Sequence, residues 1–591
     1  MTTPPGPHPL PRLAVREMPA YRPPLEGRRG LLRLDFNERT IGAPRAALEA
    51  IARLDPEAVA AYPEYGPYVT RLARRLGVAA DQVLPTNATD EAIQVAVQTY
   101  VDAGDEVVLP SPTFAMFAVY ARVAGAILVE VPFRREPAPD GARLAVDEEA
   151  YLAALARPRV RLAVLVDPNN PTATPLPPGF VERACAARPD VPVLVDEAYG
   201  AFVGRTAIGL VPRHPNLLVS QTFSKAHGLA GLRIGHLVSQ AANIAALAKV
   251  RSPYSVNVAA LAAAAALLDL PPEGEPATFV AQALEGRRRL VDGLRAMGVP
   301  LLGEDANFAL ARLGADLEPV LARLREGGIL VRDRSRDRGL AGCVRATAGT
   351  PEQVERLLGA LGAALDERRR GRALLFDLDG TLVDVSASYD ECDRQTAEHF
   401  LRLAGIRTSV WREEVRRLRG EGGGTNDDWA LTARLIDRKA REATGRGLQV
   451  AMDELVAEYQ RRYLGEDGRP GLAATERFVA PPGLIERLAR RFRLGVVTGR
   501  PRGEAATALG LAGAPPRDLW EVVVAREDCA PRLKPDPHGI VCALRGLGAE
   551  PARSTYVGDS RDDAAAALAA GVRFIDVATL GSLASLEECL P

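Results

Sequence analysis

Four lysines, Lys225, Lys249, Lys439 and Lys534, stand against seventy arginines in this chain. Arginine serves wherever charge alone suffices, so the lysines mark places where an amine matters. An ammonium can lose its proton and form a Schiff base, whereas a guanidinium stays charged. Thr222-Phe-Ser-Lys225 places two hydroxyls beside an amine and is followed by Arg233. A Schiff-base lysine needs an electron sink, and hydroxyls plus an arginine suit a phosphorylated cofactor. Asp196 ends the apolar run Val193-Leu-Val, where a carboxylate can pair with a protonated ring nitrogen. Asn170 offers an amide after another run, and Thr86-Asn-Ala-Thr-Asp-Glu-Ala-Ile93 reads as a loop opening a helix, whose N-terminus can bind phosphate.

A second set implies different chemistry. Ala373-Leu-Leu-Phe-Asp377-Leu-Asp379 ends a buried strand in two carboxylates that can project into one site. One can attack phosphorus while the other serves as acid and base. Carboxylates also bind magnesium, which screens an anionic nucleophile from an anionic substrate. Val496-Val-Thr498-Gly-Arg500, Leu533-Lys534-Pro-Asp536 and Val557-Gly-Asp559-Ser-Arg-Asp-Asp563 follow in order.

Around these residues, short apolar runs alternate with helical stretches, which implies a mostly parallel sheet covered by helices. Strands are expected at Val107 to Leu109, Ile127 to Val131, Leu162 to Val166, Val193 to Val195 and Leu217 to Val219. In the second half they are expected at Ala373 to Phe376, Leu494 to Val497, Val522 to Val524, Thr555 to Val557 and Arg573 to Ile575, with a helical insertion over about 386 to 480. Val256 to Leu270 reads as a buried helix, too short to span a bilayer. Residues 1–30 read as an arm, 31–365 as a first domain, 366–372 as a charged linker and 373–591 as a second. Length alone suggests about three or four domain-sized units. A formal charge of -1 points away from nucleic acid and anionic membrane surfaces. Six scattered cysteines without a CxxC pair fit reduced thiols in the cytoplasm. Lys439 is expected on a helix surface, and Glu421 to Asp428 as a loop.

The first set, over about residues 15 to 365, resembles the fold-type I, pyridoxal phosphate-dependent aminotransferases of class I/II, and within them the histidinol-phosphate aminotransferases. The resemblance implies an α/β fold with a mostly parallel sheet plus a small α/β domain. It implies that Lys225 binds the cofactor as a Schiff base, that Asp196 holds the pyridine nitrogen, and that Asn170 and Tyr199 bond the ring hydroxyl. Thr89, Asp90, Glu91, Thr222, Ser224 and Arg233 would hold the cofactor phosphate, with Phe114 stacked on the ring. Tyr21 and Tyr62 would lie near the substrate, the latter across a homodimer, and Arg332 and Arg345 would meet the substrate phosphate. The expected reactants are an amino donor and a 2-oxo acid. The chain departs from the family pattern at Asn37-Glu-Arg-Thr-Ile-Gly42, at Asn170-Pro-Thr-Ala-Thr174 and in having phenylalanine at 114. Aromatic or other amino-acid aminotransferases, and decarboxylases of the threonine-phosphate type, therefore stay open.

The second set, over about 372 to 591, resembles the haloacid dehalogenase superfamily of phosphatases, a Rossmann-like domain with a helical cap. By that resemblance Asp377 is the nucleophile, Asp379 the general acid/base, Thr498 and Lys534 bind the phosphoryl oxygens, and Asp377, Asp379, Asp559 and Asp563 form the magnesium site. The substrate would be a small phosphate ester, either histidinol phosphate or, in a phosphoglycolate-type enzyme, another.

Overall fold

The computed structural model describes residues 10–18, 24–138, 141–420, 427–466 and 469–590. They divide between Ala364 and Leu365 into two compact units rather than three or four, because the small sheet and the inserted helices each belong to a larger unit.

The first unit is built on seven strands: β1 Val83–Thr86, β2 Glu106–Ser111, β3 Ile127–Pro132, β4 Val160–Val166, β5 Val193–Asp196, β6 Leu217–Thr222 and β7 Gly235–Val238. Their spatial order is β1-β7-β6-β5-β4-β2-β3. The five strands from β6 to β3 run parallel, and β7 pairs antiparallel with β6 and β1. Alternate residues feed opposite faces: Ala163, Leu165, Val193 and Val195 join one apolar cluster, and Leu162, Val164 and Leu194 the other. Strands covered on both faces lose the polar alternation of a half-exposed sheet, so they read in sequence as unbroken apolar runs. The helix α1 (Ala88–Tyr100) follows β1, and α2 (Val258–Leu268) occupies the segment expected as a buried helix. The Asn257 side chain starts α2 by accepting from the Ala260 N–H. A smaller antiparallel sheet has β8 Leu301–Gly303, β9 Phe308–Arg312, β10 Arg332–Asp333 and β11 Cys343–Thr347, in the order β8-β9-β11-β10.

The helix α3 (Pro351–Arg369) continues through residues 366–369, where a linker was expected. Its last turn is Asp-Glu-Arg-Arg; the two arginines complement the negative helix C-terminus, which sustains the helix there.

The second unit has a five-stranded parallel sheet: β12 Ala373–Phe376, β13 Arg493–Val497, β14 Val522–Val524, β15 Thr555–Gly558 and β16 Arg573–Asp576, ordered β14-β13-β12-β15-β16. Leu374 and Phe376 pack on one face, Ala373 and Leu375 on the other. Within residues 386–480, between β12 and β13, the described residues form four α-helices: α4 Tyr389–Leu403, α5 Arg412–Gly420, α6 Asp428–Thr444 and α7 Met452–Leu464. They enclose an apolar core of their own around Leu401, Val415, Leu431 and Leu435.

Lys439 is buried among these helices, not exposed as expected. Its Nζ lies 2.9 Å from Glu414 Oε1 and 3.5 Å from Glu442 Oε2. The aliphatic stem fills the helix interface while the head finds two carboxylates, an arrangement invisible to composition. Most of the Glu421–Asp428 loop lies outside the described residues. Among those described, no helix is long and apolar enough to cross a membrane.

Candidate active sites

In the first unit, the chemistry gathers where parallel strands end, the edge at which α/β sheets collect ligand groups. Val166 is in register with Asp196, and Asp196 with Ser220. Asp196 is 3% exposed and accepts from Ser220 Oγ at 3.0 Å and from the Ala198 N–H at 3.2 Å. Burial pushes its pKa up to about 7, and among the described residues no cation pairs with it. The site therefore holds a buried carboxylate that lacks a positive partner. Lys225 is half-buried one strand away; its Nζ donates to the Phe36 carbonyl at 2.9 Å and lies 5.7 Å from the Tyr199 ring centre.

A cup of donors closes the other end. Thr222 Oγ1 donates to Ser224 Oγ at 2.9 Å, and Arg233 Nη1 reaches the same Ser224 oxygen at 3.4 Å. Thr89 lies in the first turn of α1, whose N-terminus faces anions favourably. Gly235 is enforced by proximity: a Cβ there would stand 2.7 Å from the Gln221 carbonyl oxygen.

The structure distributes several expected residues differently. Asp90 and Glu91 cannot hold a phosphate through their carboxylates. Asp90 Oδ2 takes Arg233 Nη2 at 2.6 Å, and Glu91 Oε2 takes the Asn87 N–H at 2.6 Å. Asn170 Oδ1 accepts from Arg345. Tyr199 accepts from Asn37 Nδ2 at 3.0 Å, and Asn37 Oδ1 accepts from Thr347 Oγ1 at 3.0 Å. Asn37 and Thr347 were not singled out from sequence, although Asn37 opens the Asn37–Gly42 segment. Arg332 and Arg345 face each other across β10 and β11. Like charges in that relation repel, and the Asp337 carboxylate interacts with both guanidinium groups. Phe114 is half-buried and sits edge-on to Phe117 at 6.3 Å. Tyr62 is 73% exposed and stacks on Tyr254 at 4.0 Å. Tyr21 lies outside the described residues.

In the second unit, Asp377 follows β12 directly and is buried, its N–H bonded to the Val557 carbonyl. Lys534 Nζ lies 2.7 Å from Asp377 Oδ1 and 2.8 Å from Asp563 Oδ1. Asp563 Oδ2 accepts from Ser560 Oγ at 2.7 Å, and Tyr556 donates to Asp563 Oδ1 at 3.1 Å. One oxygen each from Asp377, Asp559 and Asp563 lies within 4.8 Å of the others. Burial, and the neighbouring acids against Lys534, push Asp377 well above the usual carboxylate range. Burial and Asp563 raise Asp559 to about 6. Crowded carboxylates of this kind fit a divalent cation. Gly380 lets the acids approach: its φ is +71°, and a Cβ would fall 1.9 Å from Asp559 Oδ2. Thr498 is buried at the end of β13, its Oγ1 accepting from the Arg500 N–H at 3.2 Å.

Asp379 stands outside the three-carboxylate group. Its Oδ1 is held by Arg500 Nε at 2.6 Å, because Arg500 is a buried cation needing a counterion. Arg500 is 3% exposed, and its motif in the sequence gives it no role. Nη1 donates to Glu476 Oε2 at 2.9 Å and to the Tyr463 hydroxyl at 2.8 Å. The guanidinium carbon lies 5.2 Å from the centre of the Tyr389 ring. Glu476 Oε1 accepts from Ser388 Oγ at 2.8 Å and Tyr463 at 2.9 Å, so the network joins the sheet edge to α4 and α7. Removing one partner of a buried pair strands the other charge. Arg500→Met is expected to cost about 3–5 kcal/mol, and an added Glu476→Gln to restore part of it, read by thermal denaturation.

Residues 29–361 match the family model for aminotransferase class I and II, and residues 372–571 that for haloacid dehalogenase-like hydrolase. The chain belongs to the class I and II aminotransferases, and carries a haloacid dehalogenase-like hydrolase domain behind that part. The aminotransferase part is similar to histidinol-phosphate aminotransferases. That of Roseiflexus castenholzii is 37% identical over 345 residues, covering 56% of this chain and 89% of that protein. That of Symbiobacterium thermophilum is 36% identical over 371 residues, covering 60% and 99%. The crystal structure of histidinol-phosphate aminotransferase from Sinorhizobium meliloti in complex with pyridoxal-5'-phosphate superposes with a TM-score of 0.53 at 26% identity, over 60% of this chain and 97% of that one.

Proposed function

We propose that this chain is a bifunctional enzyme, transferring an amino group between histidinol phosphate and 2-oxoglutarate with pyridoxal phosphate, and hydrolysing a small phosphate monoester with magnesium. The observation that carries the first activity is the buried Asp196 carboxylate, which lacks a cation at one end of a site whose other end is a cup of hydroxyls and Arg233. A pyridinium nitrogen would pair with Asp196, while Thr89, Thr222, Ser224 and Arg233 would take the cofactor phosphate. Asp90 positions Arg233 from behind. The cofactor supplies the electron sink for a carbanion. Lys225 Nζ is the amine that binds it and moves the substrate's Cα proton. Tyr199, anchored by Asn37, and Asn170, with Arg345, bound the ring-hydroxyl side. Phe114 would cover the ring. Arg332 and Arg345 suit a substrate phosphate or carboxylate, since arginine forks match such anions. The exposed Tyr62, and Tyr21, would complete the substrate site in a cytoplasmic homodimer.

In the second unit Asp377 attacks phosphorus and forms a phosphoaspartyl intermediate. Asp379 gives a proton to the leaving oxygen and then takes one from water. Thr498 and Lys534 hold phosphoryl oxygens. Magnesium, held by Asp377, Asp559 and Asp563, would neutralise charge between nucleophile and substrate. Histidinol phosphate is the economical substrate, because the first activity handles it.

Two assays test these readings. Incubation with histidinol phosphate, 2-oxoglutarate and pyridoxal phosphate is expected to yield glutamate, and phosphate release is expected to need magnesium and stop with EDTA. Glutamate formed faster from phenylalanine than from histidinol phosphate would replace the donor, and EDTA-resistant phosphate release would remove the metal.

A further inference from the structure

The open cavity over Asp377 offers about 690 Å³, far more than a phosphoryl group occupies, which leaves room for the alcohol half of an ester. Its wall is acidic, with nine carboxylates against five cationic side chains. At the catalytic end Lys534 and Arg500 answer the acids. Further out, Asp390 is paired with Arg416 at 2.7 Å and Asp427 with Arg526 at 2.6 Å.

Glu504, in the helix Arg502–Ala508, is different. It is 9% exposed, lines the cavity and receives the Gln460 amide N–H at 2.7 Å. Arg500 acts on it through space but spends its hydrogen bonds on Asp379, Glu476 and Tyr463, and among the described residues no lysine, arginine or histidine forms an ion pair with it. Tyr459, next to Gln460 on α7, lines the same cavity. It is 2% exposed, and among the described residues its buried hydroxyl has no hydrogen-bond partner. A buried carboxylate without a direct ion pair and a buried hydroxyl without a partner are both costly unless a ligand satisfies them. An ammonium meets both needs, since it carries positive charge and three donors.

We propose that this cavity selects phosphomonoesters whose alcohol part carries a protonated amine, the ammonium pairing with Glu504 and donating to the Tyr459 hydroxyl oxygen. An ester without the amine leaves Glu504 uncompensated, so the same residues that favour one class penalise the other. The inference rests on the phosphatase reading above and gives it a substrate class. A transaminase acting on a phosphorylated ketone makes an ester of this class, so the two halves would act in sequence.

The test compares two nearly isosteric esters on the full chain, O-phosphoethanolamine and 2-hydroxyethyl phosphate, with histidinol phosphate as a third. The amine esters are expected to show kcat/KM about tenfold or more above the hydroxyl ester, the scale of one charge-assisted bond. Glu504→Gln is expected to reduce that ratio by a similar factor, and Tyr459→Phe by less. Equal turnover of the paired esters, or a Glu504→Gln loss equal for both, overturns the amine pocket and leaves the phosphatase standing. No phosphate from any ester overturns the phosphatase reading, and this one with it. If Glu504→Gln fails to fold, the wild-type ratio and Tyr459→Phe decide.

Discussion

Asp377→Asn protein is expected to release no phosphate from any ester while transaminating as fast as the unaltered chain. The substitution is nearly isosteric and keeps the backbone bond to Val557. An amide, however, is a poor nucleophile toward phosphorus and a poor magnesium ligand, so it removes covalent catalysis and part of the metal site together. Loss of a nucleophile is felt at about 10⁴-fold or beyond. Lys534 retains Asp563 at 2.8 Å, so the ammonium is not left without a counterion and folding should survive. Phosphate assays with magnesium, run beside a transamination assay on the same sample, give both readouts. Residual hydrolysis within about tenfold of the original would move the nucleophile elsewhere, since a bystander carboxylate contributes no more than that.

Lys225→Ala is the mirror experiment. Transamination should fall by about 10⁴-fold or more, because the residue both carries the cofactor and moves the proton. Borohydride reduction after adding pyridoxal phosphate should label the unaltered chain at this position and leave the variant unlabelled. Phosphate release should not change. The structural cost is small: the side chain is half-buried, and its one hydrogen bond ends on the Phe36 carbonyl. A parallel fall of both activities would contradict two independent sites, and a labelled alanine variant would relocate the amine.

The residues of both candidate sites were legible because they sit just past strand ends. Buried parallel strands appear as unbroken apolar runs such as Val193 to Val195 and Leu374 to Phe376, and the first polar residue after each run lies at the sheet edge. Asp196, Asp377 and Thr498 follow that rule. The helices inserted between β12 and β13 were legible by exclusion, since more than a hundred residues there lack core strands. Partners distant in sequence were not legible. Asn37 meets Thr347 across 310 positions, and Arg500 meets Asp379 across 121. No local pattern encodes such pairs. Asp379 and Asp90 likewise each meet an arginine, Arg500 and Arg233, that only the fold brings near.

The amino-acid order alone determined which reactive groups exist, which strands carry them and that two chemistries follow one another. Strand burial and its apolar signature are local properties, so they survive in one dimension. Tertiary structure decided the charge partners: Lys439 buried against Glu414, Arg500 shared between Asp379 and Glu476, and Glu504 held by Gln460 with no ion pair among the described residues. The energy of a charge depends on burial and on neighbours contributed by distant segments, which appear only once the chain has folded.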